Sequence, residues 1–406
     1  MMNINSIKLV TNDDWQKQAA LFLISQNLSL FGSSVAGFSI IWHITLTTSS
    51  GFWMMLATLT YTVPGVLIGL WGGVWADRYN RKYLIMISDA VVALVTLAAA
   101  VALWLKLGGL EMLLVAASIR SLGGGVQMPS VNALYPQLVP ADKLVRVQGI
   151  NQALNAALML MSPVAGGLVL GLAGLSAAFL VDVVTAAAAI GIMAFIKVEN
   201  STGAKEGGSV FFEMRSGLSY AFGHRQLRLL LASYAAFFFL ATPASVLTPL
   251  MVARTFGPEV WRLTANEAVW AAASVLGGIF VARKGGFQDK AGALAICMMA
   301  FGLCFGLLGL ASHFVVYLLL MGGAGFFMPI FTTLETVFIQ EVADPDLLGR
   351  MFSIVQILGT SAMPAAILLF GPLADSVSVE SILLATGFFM ILVGLVYHRL
   401  SRTGPP

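Results

Sequence analysis

The sequence predicts an all-α membrane protein in which twelve transmembrane helices form two pseudo-symmetric six-helix bundles. The 406 residues are 58% hydrophobic and 10% charged, with a mean hydropathy of +0.89, whereas soluble domains contain about 45–50% apolar residues. The apolar residues form long runs, and motifs of the first half recur in the second half. Because a water-soluble chain of this length could not bury so much apolar surface, we expect lipid to be its solvent.

Twelve apolar runs are long enough to cross a bilayer, for which a helix needs about 20 residues. They are apolar on every face, as in VVALVTLAAAVALWL (91–105), whereas strands of a membrane barrel would be about 10 residues long and would alternate. Helices are therefore predicted throughout. The runs, called spans one to twelve, cover 19–42, 51–75, 83–105, 110–136, 146–171, 175–197, 227–251, 265–282, 290–311, 314–338, 349–373 and 379–398.

The start of the chain and its cysteines give little information on function. The first 18 residues are polar and contain no signal-peptide core, so span one is predicted to be uncleaved. Cys297 and Cys304 both lie in span nine, where packing is expected rather than an extracellular disulfide framework.

The basic residues predict the orientation in the membrane, because cytoplasmic loops carry an excess of Lys and Arg. All 22 Lys and Arg residues fall on segments of one side except Lys106, Arg254 and Arg262, which fall on the other side, and Arg120, which lies inside span four. The sequence therefore predicts an even number of spans with both termini in the cytoplasm.

A polar segment divides the spans into six and six. Residues 198–226 contain the linker STGAKEGGS and the stretch VFFEMRSGLSYAFG (210–223), which is predicted to form a short amphipathic helix at the membrane surface. This segment is expected to be a passive tether between the two halves, and a functional gate is the alternative. The predicted organisation is an N-terminal six-helix bundle (1–197), this cytoplasmic linker and a C-terminal six-helix bundle (227–406).

Motifs repeat between the two halves at nearly one offset. GVQMP (125–129) recurs as GFFMP (325–329), and LMLMSP, ending at 163, corresponds to GTSAMP, ending at 364. The pair Asp142 and Arg146 corresponds to Asp346 and Arg350. Parallel repeats of this kind occur in one class of transporters, and they predict a cavity at the seam of two halves that rock against each other.

The stretch GGVWADRYNRK (72–82), between spans two and three, resembles the loop signature of the major facilitator superfamily, Gly-x-x-x-Asp-Arg-x-Gly-Arg-Lys. Asn80 replaces the second glycine, and we expect it to adopt the left-handed conformation that Asn tolerates. The matching loop of the second half has Ala282 in place of the acid. Two further stretches, 119–140 and 347–364, are similar to the macrolide-efflux branch of this superfamily, whose framework siderophore exporters share.

The resemblance implies that the acid of this turn controls an inner gate. Asp77 would accept hydrogen bonds from the amides that begin span eleven and would pair with Arg350, since a helix N-terminus carries unsatisfied N–H groups and partial positive charge. The bases of the turn would then serve topology and bind anionic lipid headgroups, and the alternative is a solvated inner loop that obeys the positive-inside rule. The candidate gating residues are Gly73, Asp77, Arg78, Arg81, Lys82 and Arg350.

Charged residues inside spans indicate a functional or structural role, because each costs at least about 2.5–3.5 kcal/mol at mid-bilayer. Arg120 with Gly124 resembles the superfamily's Arg-x-x-Gln-Gly pattern, although Gly123 replaces the Gln. The resemblance implies a role in proton transfer, and a purely structural pair is the alternative. The candidate proton-coupling residues are Arg120 with Glu335, Asp182 and Asp89; Glu335 is preferred because span ten lines the cavity in the superfamily, and structural pairing is open for the other acids. Glu267 is expected to be interfacial.

A site for bulky amphipathic molecules should be mostly apolar with a few polar groups. Span five carries a polar stripe at i, i+3 and i+7, spans one and seven add polar and aromatic groups, and packing or lipid contact is the alternative for each aromatic side chain. The candidate substrate-binding residues are Gln26, Asn27, Gln152, Asn155, Met159, Tyr234, Phe237 and Phe238.

These features favour a proton-coupled exporter of amphipathic drugs such as macrolides in a bacterial cytoplasmic membrane. The sequence contains no Walker phosphate loop that would indicate ATP drive and no His/Cys cluster that would indicate a metal site. No motif shows the nucleophile or acid–base pair that an enzyme would need, so we expect no enzyme activity and no cofactor. The expected partners are a small amphipathic substrate, protons and the lipid bilayer, with no nucleic acid, and the chain is expected to be a monomer. Alternatives are export of a metabolite such as a siderophore, uptake, which only the partial span-five pattern SPVAGG (162–167) disfavours, and a receptor or enzyme on the same scaffold.

Overall fold

The computed structural model describes residues 15–198, 220, 222–284, 286–344 and 347–402, and this part of the chain is helical, with no β-strand. The predicted all-α class is therefore confirmed for it. Its helices are α1 (Trp15–Thr48), α2 (Gly51–Arg78), α3 (Arg81–Trp104), α4 (Leu110–Leu138), α5 (Ala141–Ala194), α6 (Arg225–Val246), α7 (Thr248–Thr255), α8 (Val260–Lys284), α9 (Lys290–Leu308), α10 (Phe314–Val342), α11 (Leu348–Ser376) and α12 (Val379–Arg402).

The helices differ from the predicted spans at two places. Spans five and six are continuous in α5, whose 54 residues would extend for about 80 Å if straight. Gly174 interrupts it with φ 79° and ψ 177°, a left-handed conformation that glycine adopts without a Cβ clash. Span seven is divided at Leu247, the residue between α6 and α7.

Ten helical segments among the described residues are long and apolar enough to cross a membrane. The α5 helix counts once, α6 counts together with α7, and α4 is not among the ten. The α4 helix carries Arg120, Gln127 and Asn132, which lower its hydropathy. The chain is a multi-pass membrane protein, and the described residues contain ten segments that meet this measure, so twelve separate crossings stay a prediction.

The chain divides into two compact units. The first contains residues 1–43 and 59–205, and the second contains residues 44–58 and 206–406. The end of α1, the turn after it and the start of α2 therefore belong to the second unit. Most of the predicted linker, including most of the amphipathic helix predicted at 210–223, lies outside the described residues.

Glycines let α2 and α4 approach each other closely within the first unit. The Gly65 amide donates to Ser121 Oγ at 2.9 Å. A Cβ on Gly125 would collide with the Gly65 carbonyl oxygen, and a Cβ on Gly72 would lie 2.7 Å from the Gly125 carbonyl oxygen. Small residues at helix interfaces are typical of membrane proteins because packing replaces the hydrophobic effect there.

The second unit repeats this arrangement between α8 and α10. Ser274 Oγ donates to the Gly325 carbonyl oxygen at 3.0 Å, and a Cβ on Gly325 would lie 2.7 Å from the Trp270 carbonyl oxygen. A Cβ on Gly277 would collide with the Phe326 carbonyl oxygen. The glycines of the repeated Gly-x-x-Met-Pro motif thus have the same packing role in each half, which supports the internal repeat.

Candidate functional site

Arg120 and Asp182 form a buried ion pair in the first unit. Arg120 Nη1 donates to Asp182 Oδ2 and to Thr96 Oγ1, and Nη2 donates to the Ser33 carbonyl oxygen at 3.1 Å. Ser33 Oγ donates to Asp182 Oδ1 at 3.1 Å. Asp182 is completely buried, and Arg120 is 7% exposed. Two of the predicted proton-coupling residues are therefore in contact, in the structural pairing that the sequence left open for both.

Close approach of α1 to α5 positions this pair. A Cβ on Gly32 would collide with Thr185 and would lie 2.9 Å from the Cα of Asp182. Gly32 therefore permits the backbone contact that brings the hydroxyl of the next residue, Ser33, to the carboxylate. The α4 helix supplies the guanidinium, and α3 supplies Thr96.

Asp89 of α3 is buried among neutral donors. Its Oδ1 accepts from Ser29 Oγ at 2.6 Å and from Gln127 Nε2 at 2.9 Å. The described residues provide it with no Lys, Arg or His partner. Among the predicted acids of the first unit, Asp182 is therefore neutralised by a cation, whereas Asp89 is only hydrogen-bonded.

Glu335 of α10 lies in the second unit and is 6% exposed. No hydrogen bond or ion pair to its carboxyl group is present among the described residues. It follows Phe331 by one helical turn, so both side chains lie on one face of α10. Glu267, the other acid of this unit, is half-buried and accepts a hydrogen bond from Asn266 Nδ2 at 3.2 Å.

An aromatic cavity of about 170 Å³ lies in the second unit. The ring centroids of Phe237 and Phe331 are 4.5 Å apart and nearly parallel, and those of Tyr234 and Phe238 are also 4.5 Å apart. Tyr234 and Phe237 are buried, and Phe238 is half-buried. The cavity is lined by Phe237, Phe238, Ala241, Thr242, Ser245, Trp270, Phe301, Phe305, Met328, Gly359 and Met363.

The cavity joins two of the three predicted aromatic residues to side chains that the sequence analysis did not identify. Trp270, Phe301 and Phe305 come from α8 and α9, where they read as ordinary apolar positions. Their aromatic side chains could have indicated a binding site, but the chain contains 26 Phe residues, so aromatic character alone does not identify the residues of a site. The ring of Tyr234, the third predicted aromatic residue, contacts the ring of Phe238, which lines the cavity. It also contacts the ring of Phe331, which stacks on Phe237.

The predicted polar substrate residues all lie in the first unit. Gln26 is buried and donates to Ser25 Oγ at 3.5 Å. Asn27 Nδ2 donates to the Leu23 carbonyl oxygen at 2.8 Å, and its Oδ1 is buried with no partner among the described residues. On α5, the side chains of the predicted stripe are turned away from the packed interior; Gln152 and Met159 are exposed, and Asn155 is half-buried.

Two of the three bases of the charged turn, Arg81 and Lys82, bind backbone carbonyl groups of their own unit. Arg81 donates from Nε to the Ala76 carbonyl oxygen and from Nη1 to the Ala133 carbonyl oxygen, both at 2.9 Å. Lys82 Nζ donates to the carbonyl oxygens of Ala194 and Ile196 at 2.8 and 2.7 Å, where α5 ends. A cation at a helix C-terminus is favourable because the last carbonyl groups carry partial negative charge. Arg81 and Lys82 thus join the turn to its neighbouring helices.

Asp77 remains largely in contact with solvent. Its side chain is 67% exposed and pairs with Arg81 at 3.6 Å, while Arg78 is exposed and Gly73 is half-buried. The side chain of Arg350 lies outside the described part of the structure. Docking of Asp77 on the start of α11 therefore stays a prediction.

The conformation expected for Asn80 is wrong. Asn80 has φ −64° and ψ 114°, and its Oδ1 accepts from the Lys82 amide at 3.0 Å. It is the N-cap of α3, a position at which Asn is among the preferred residues because its side chain satisfies an amide of the first turn. Asn80 therefore replaces the signature glycine through a hydrogen bond rather than through a positive φ.

Comparisons with known proteins identify the family. The model of the Major Facilitator Superfamily matches residues 22–367. The chain is 25% identical over 395 residues to macrolide efflux protein A of Streptococcus pyogenes, covering 96% of this chain and 97% of that protein. It is 25% identical over 315 residues to macrolide efflux protein A of Enterococcus faecalis, covering 76% and 96%.

Solved structures of transporters share the fold. A bacterial homologue of the human lysosomal transporter Spinster superposes with a TM-score of 0.68 at 15% identity, covering 97% of this chain and 98% of the other. A bacterial homologue of the iron transporter ferroportin gives 0.68 at 16% identity, covering 92% and 98%. The resemblance first drawn from the charged turn is confirmed. The match over residues 22–367 shows that the chain belongs to the major facilitator superfamily, as a multi-pass membrane transporter related to macrolide-efflux proteins and not an enzyme.

Proposed function

We propose that this protein exports amphipathic, drug-like molecules such as macrolides across a bacterial cytoplasmic membrane in exchange for protons. The observation that carries the proposal is the aromatic cavity of the second unit together with Glu335 on the same face of α10 as Phe331. The similarity to macrolide efflux proteins along nearly the whole chain supports the direction of transport and the kind of substrate.

The lining of the cavity suits a bulky apolar ligand. Phe237, Phe301 and Phe305 offer ring edges and faces, and Met328 and Met363 offer flexible side chains that adapt to different shapes. Thr242 and Ser245 are the polar residues of the lining, and their hydroxyls donate to carbonyl groups of their own helix. Binding would therefore depend on apolar contact and stacking, which tolerates chemically different molecules.

Glu335 is the strongest candidate for the proton-carrying residue. An ionised carboxylate that is buried without a cation is costly, by several kcal/mol in a protein, whereas the protonated group is neutral. Asp182 already has Arg120 as its counter-charge. Glu335 has no such partner among the described residues, so binding and release of a proton would change its charge one helical turn from Phe331, whose ring stacks on Phe237 of the cavity lining.

We further propose that the protein works by alternating access, with twelve crossings and both termini in the cytoplasm. Gly174 divides α5 near its middle, and 54 residues are enough for two crossings of about 30 Å. The α4 helix would be the remaining crossing, with Arg120 paired inside the first unit. The matching glycine contacts of α2 with α4 and of α8 with α10 support two related six-helix halves.

Expression in a bacterial host that lacks its main drug pumps tests the proposal. The native chain should raise resistance to macrolides. A proton uncoupler should abolish the difference in drug accumulation between cells with and without the protein. Glu335→Gln should lose the resistance at equal membrane abundance, whereas the control Glu341→Gln, which removes a carboxylate paired with Lys290 at 2.8 Å on the surface, should retain it. Resistance in the Glu335→Gln strain would assign proton coupling to another residue, and no effect on any amphipathic compound would contradict the drug-export function.

A further inference from the structure

A carboxylate at the end of α11 caps the first turn of α2 within the second unit. Asp375 Oδ1 accepts from the Gly51 amide at 2.7 Å, and Oδ2 accepts from the Phe52 amide and from Ser50 Oγ, both at 2.9 Å. The first amides of a helix have no partner in their own helix and carry partial positive charge. Asp375 therefore supplies both hydrogen bonds and the favourable charge to the start of α2.

Arg254 of α7 joins the same contact. Its Nη2 lies 3.2 Å from Asp375 Oδ1, and its Nη1 donates to the Ala374 carbonyl oxygen at 2.7 Å. Its Nε donates to the Ser49 carbonyl oxygen at 3.2 Å. The backbones also meet directly, because a Cβ on Gly51 would collide with the Gly371 carbonyl oxygen. Two elements of the second unit, α7 and α11, thus hold the turn between α1 and α2.

The course of the chain makes this contact a candidate for regulated release. Residues 44–58 belong to the second unit, but the rest of α1 and α2 belongs to the first. If the two units move relative to each other during transport, this turn must leave its partners or the helices must bend. Asp375 and Arg254 are each about one-third exposed, so water can replace the hydrogen bonds that are lost.

The position of Asp375 within its helix supports a role of this kind. Asp375 is the next-to-last residue of α11, and Asp77 is the next-to-last residue of α2. An acid in the last turn is disfavoured by the dipole of its own helix, so it gains from binding the N-terminus of another helix. Asp375 is engaged with the start of α2, whereas Asp77, predicted to bind the start of α11, is exposed.

We propose that Asp375, assisted by Arg254, is a releasable latch that holds the turn between α1 and α2 on α11 and α7, and that its release accompanies opening of the transporter at this end. This latch lies outside the aromatic cavity and does not depend on the identity of the substrate.

Accessibility of a buried thiol tests the latch. The Met55 side chain is 8% exposed and packs against Gly371. A Cβ added to Gly371 would lie 2.5 Å from the Met55 Cβ. Met55→Cys is introduced after Cys297 and Cys304 are replaced by Ala, and its reaction with a charged methanethiosulfonate is timed in lipid nanodiscs. Asp375→Asn should speed the reaction by about tenfold, because charge-assisted hydrogen bonds to the α2 amides are lost.

A matched control separates release of the latch from general loosening. Glu259→Gln removes a carboxylate that pairs with Arg262 at 3.4 Å in the same unit but does not contact α2, and it should leave the rate unchanged. Equal rates in the parent, Asp375→Asn and Glu259→Gln proteins, or equal acceleration by both substitutions, would overturn the proposal. If Asp375→Asn fails to insert, Arg254→Gln decides in the same way. Since no substrate is needed, the result is independent of the drug-export proposal.

Discussion

Arg120 and Asp182 neutralise each other inside the first unit, with the Ser33 carbonyl and hydroxyl groups bound to the two partners. A buried pair of this kind contributes little net stability, because removing both charges from water costs about as much as their attraction returns. Leaving one partner alone is far more costly. The pair therefore behaves as a structural unit whose two members depend on each other.

Replacing one member of the pair should destabilise the protein strongly. We expect Arg120→Met to lower the free energy of unfolding by about 3–5 kcal/mol, because it leaves Asp182 as an uncompensated buried charge. The double variant Arg120→Met with Asp182→Leu should recover most of that loss. Thermal unfolding of the purified protein in detergent micelles measures both effects.

A surface pair provides the control for this cycle. Lys143 and Asp142 lie 3.1 Å apart with about half or more of each side chain exposed, and Lys143→Met should change stability by less than about 1 kcal/mol. If the double variant is as unstable as Arg120→Met, the pair has a role that apolar side chains cannot fill. Retained stability in Arg120→Met would contradict the assignment of a buried ion pair.

The aromatic cavity gives a prediction about binding rather than stability. Phe238→Ala should weaken binding of an amphipathic substrate by about tenfold, since a stacking contact is worth about 0.5–1.5 kcal/mol beyond the apolar area that it buries. Fluorescence titration or equilibrium binding to the purified protein provides the measurement. The control Phe388→Ala removes a ring that is 59% exposed and outside the cavity lining. Equal affinities of the two variants would show that the substrate binds elsewhere.

The helices and their approximate bounds could be predicted from the sequence because apolar runs of the length of a bilayer have few alternatives. The breaks and connections between helices were less predictable. Nothing in the apolar pattern distinguishes a helix break with a positive φ at Gly174 from a loop, or indicates that span seven divides at Leu247. Such details depend on a single backbone angle, which tertiary packing determines.

The candidate site shows where sequence reasoning stops. Each charged residue inside a span could be identified from the sequence. The ion pair of Arg120 with Asp182 could not, because it joins residues that are 62 positions apart. Ser29 and Gln127, which bind Asp89, were polar residues in apolar runs, but their partner could not be inferred from spacing. The contact of Asp375 with the start of α2 was missed because it joins residues 324 positions apart.

The N-cap role of Asn80 predicts how the charged turn tolerates substitution. Asn80→Ala should lower the free energy of unfolding by about 1 kcal/mol, because the Lys82 amide loses its side-chain acceptor, whereas Asn80→Gly should cost only a few tenths. The unfolding midpoint in micelles distinguishes the two variants. An Ala variant as stable as the native protein would show that the hydrogen bond from the Lys82 amide contributes nothing.

Asp289, in the turn between α8 and α9, predicts a pH dependence of stability. Its Oδ1 accepts from the Gly292 amide at 2.7 Å as the N-cap of α9, and its Oδ2 lies 3.2 Å from Arg402 Nη2. The hydrogen bond from the Gly292 amide lowers the pKa of Asp289 below its ordinary 3.8, partial burial acts in the opposite direction, and Arg402 lowers it further.

Because the folded protein binds the Asp289 proton more weakly than the unfolded chain does, this carboxylate stabilises the fold above its ordinary pKa, and the contribution is lost as the pH falls through the lowered value. Asp289→Asn should therefore be less stable than the native protein at pH 7, and the difference should shrink below about pH 4. Unfolding midpoints measured in micelles from pH 7 to pH 3 give this difference, with Glu341→Gln as the control for an exposed carboxylate of a surface ion pair. A stability difference that is constant over this range, or that grows toward low pH, would contradict the capping role, since only a carboxylate with a lowered pKa loses its contribution as it is protonated.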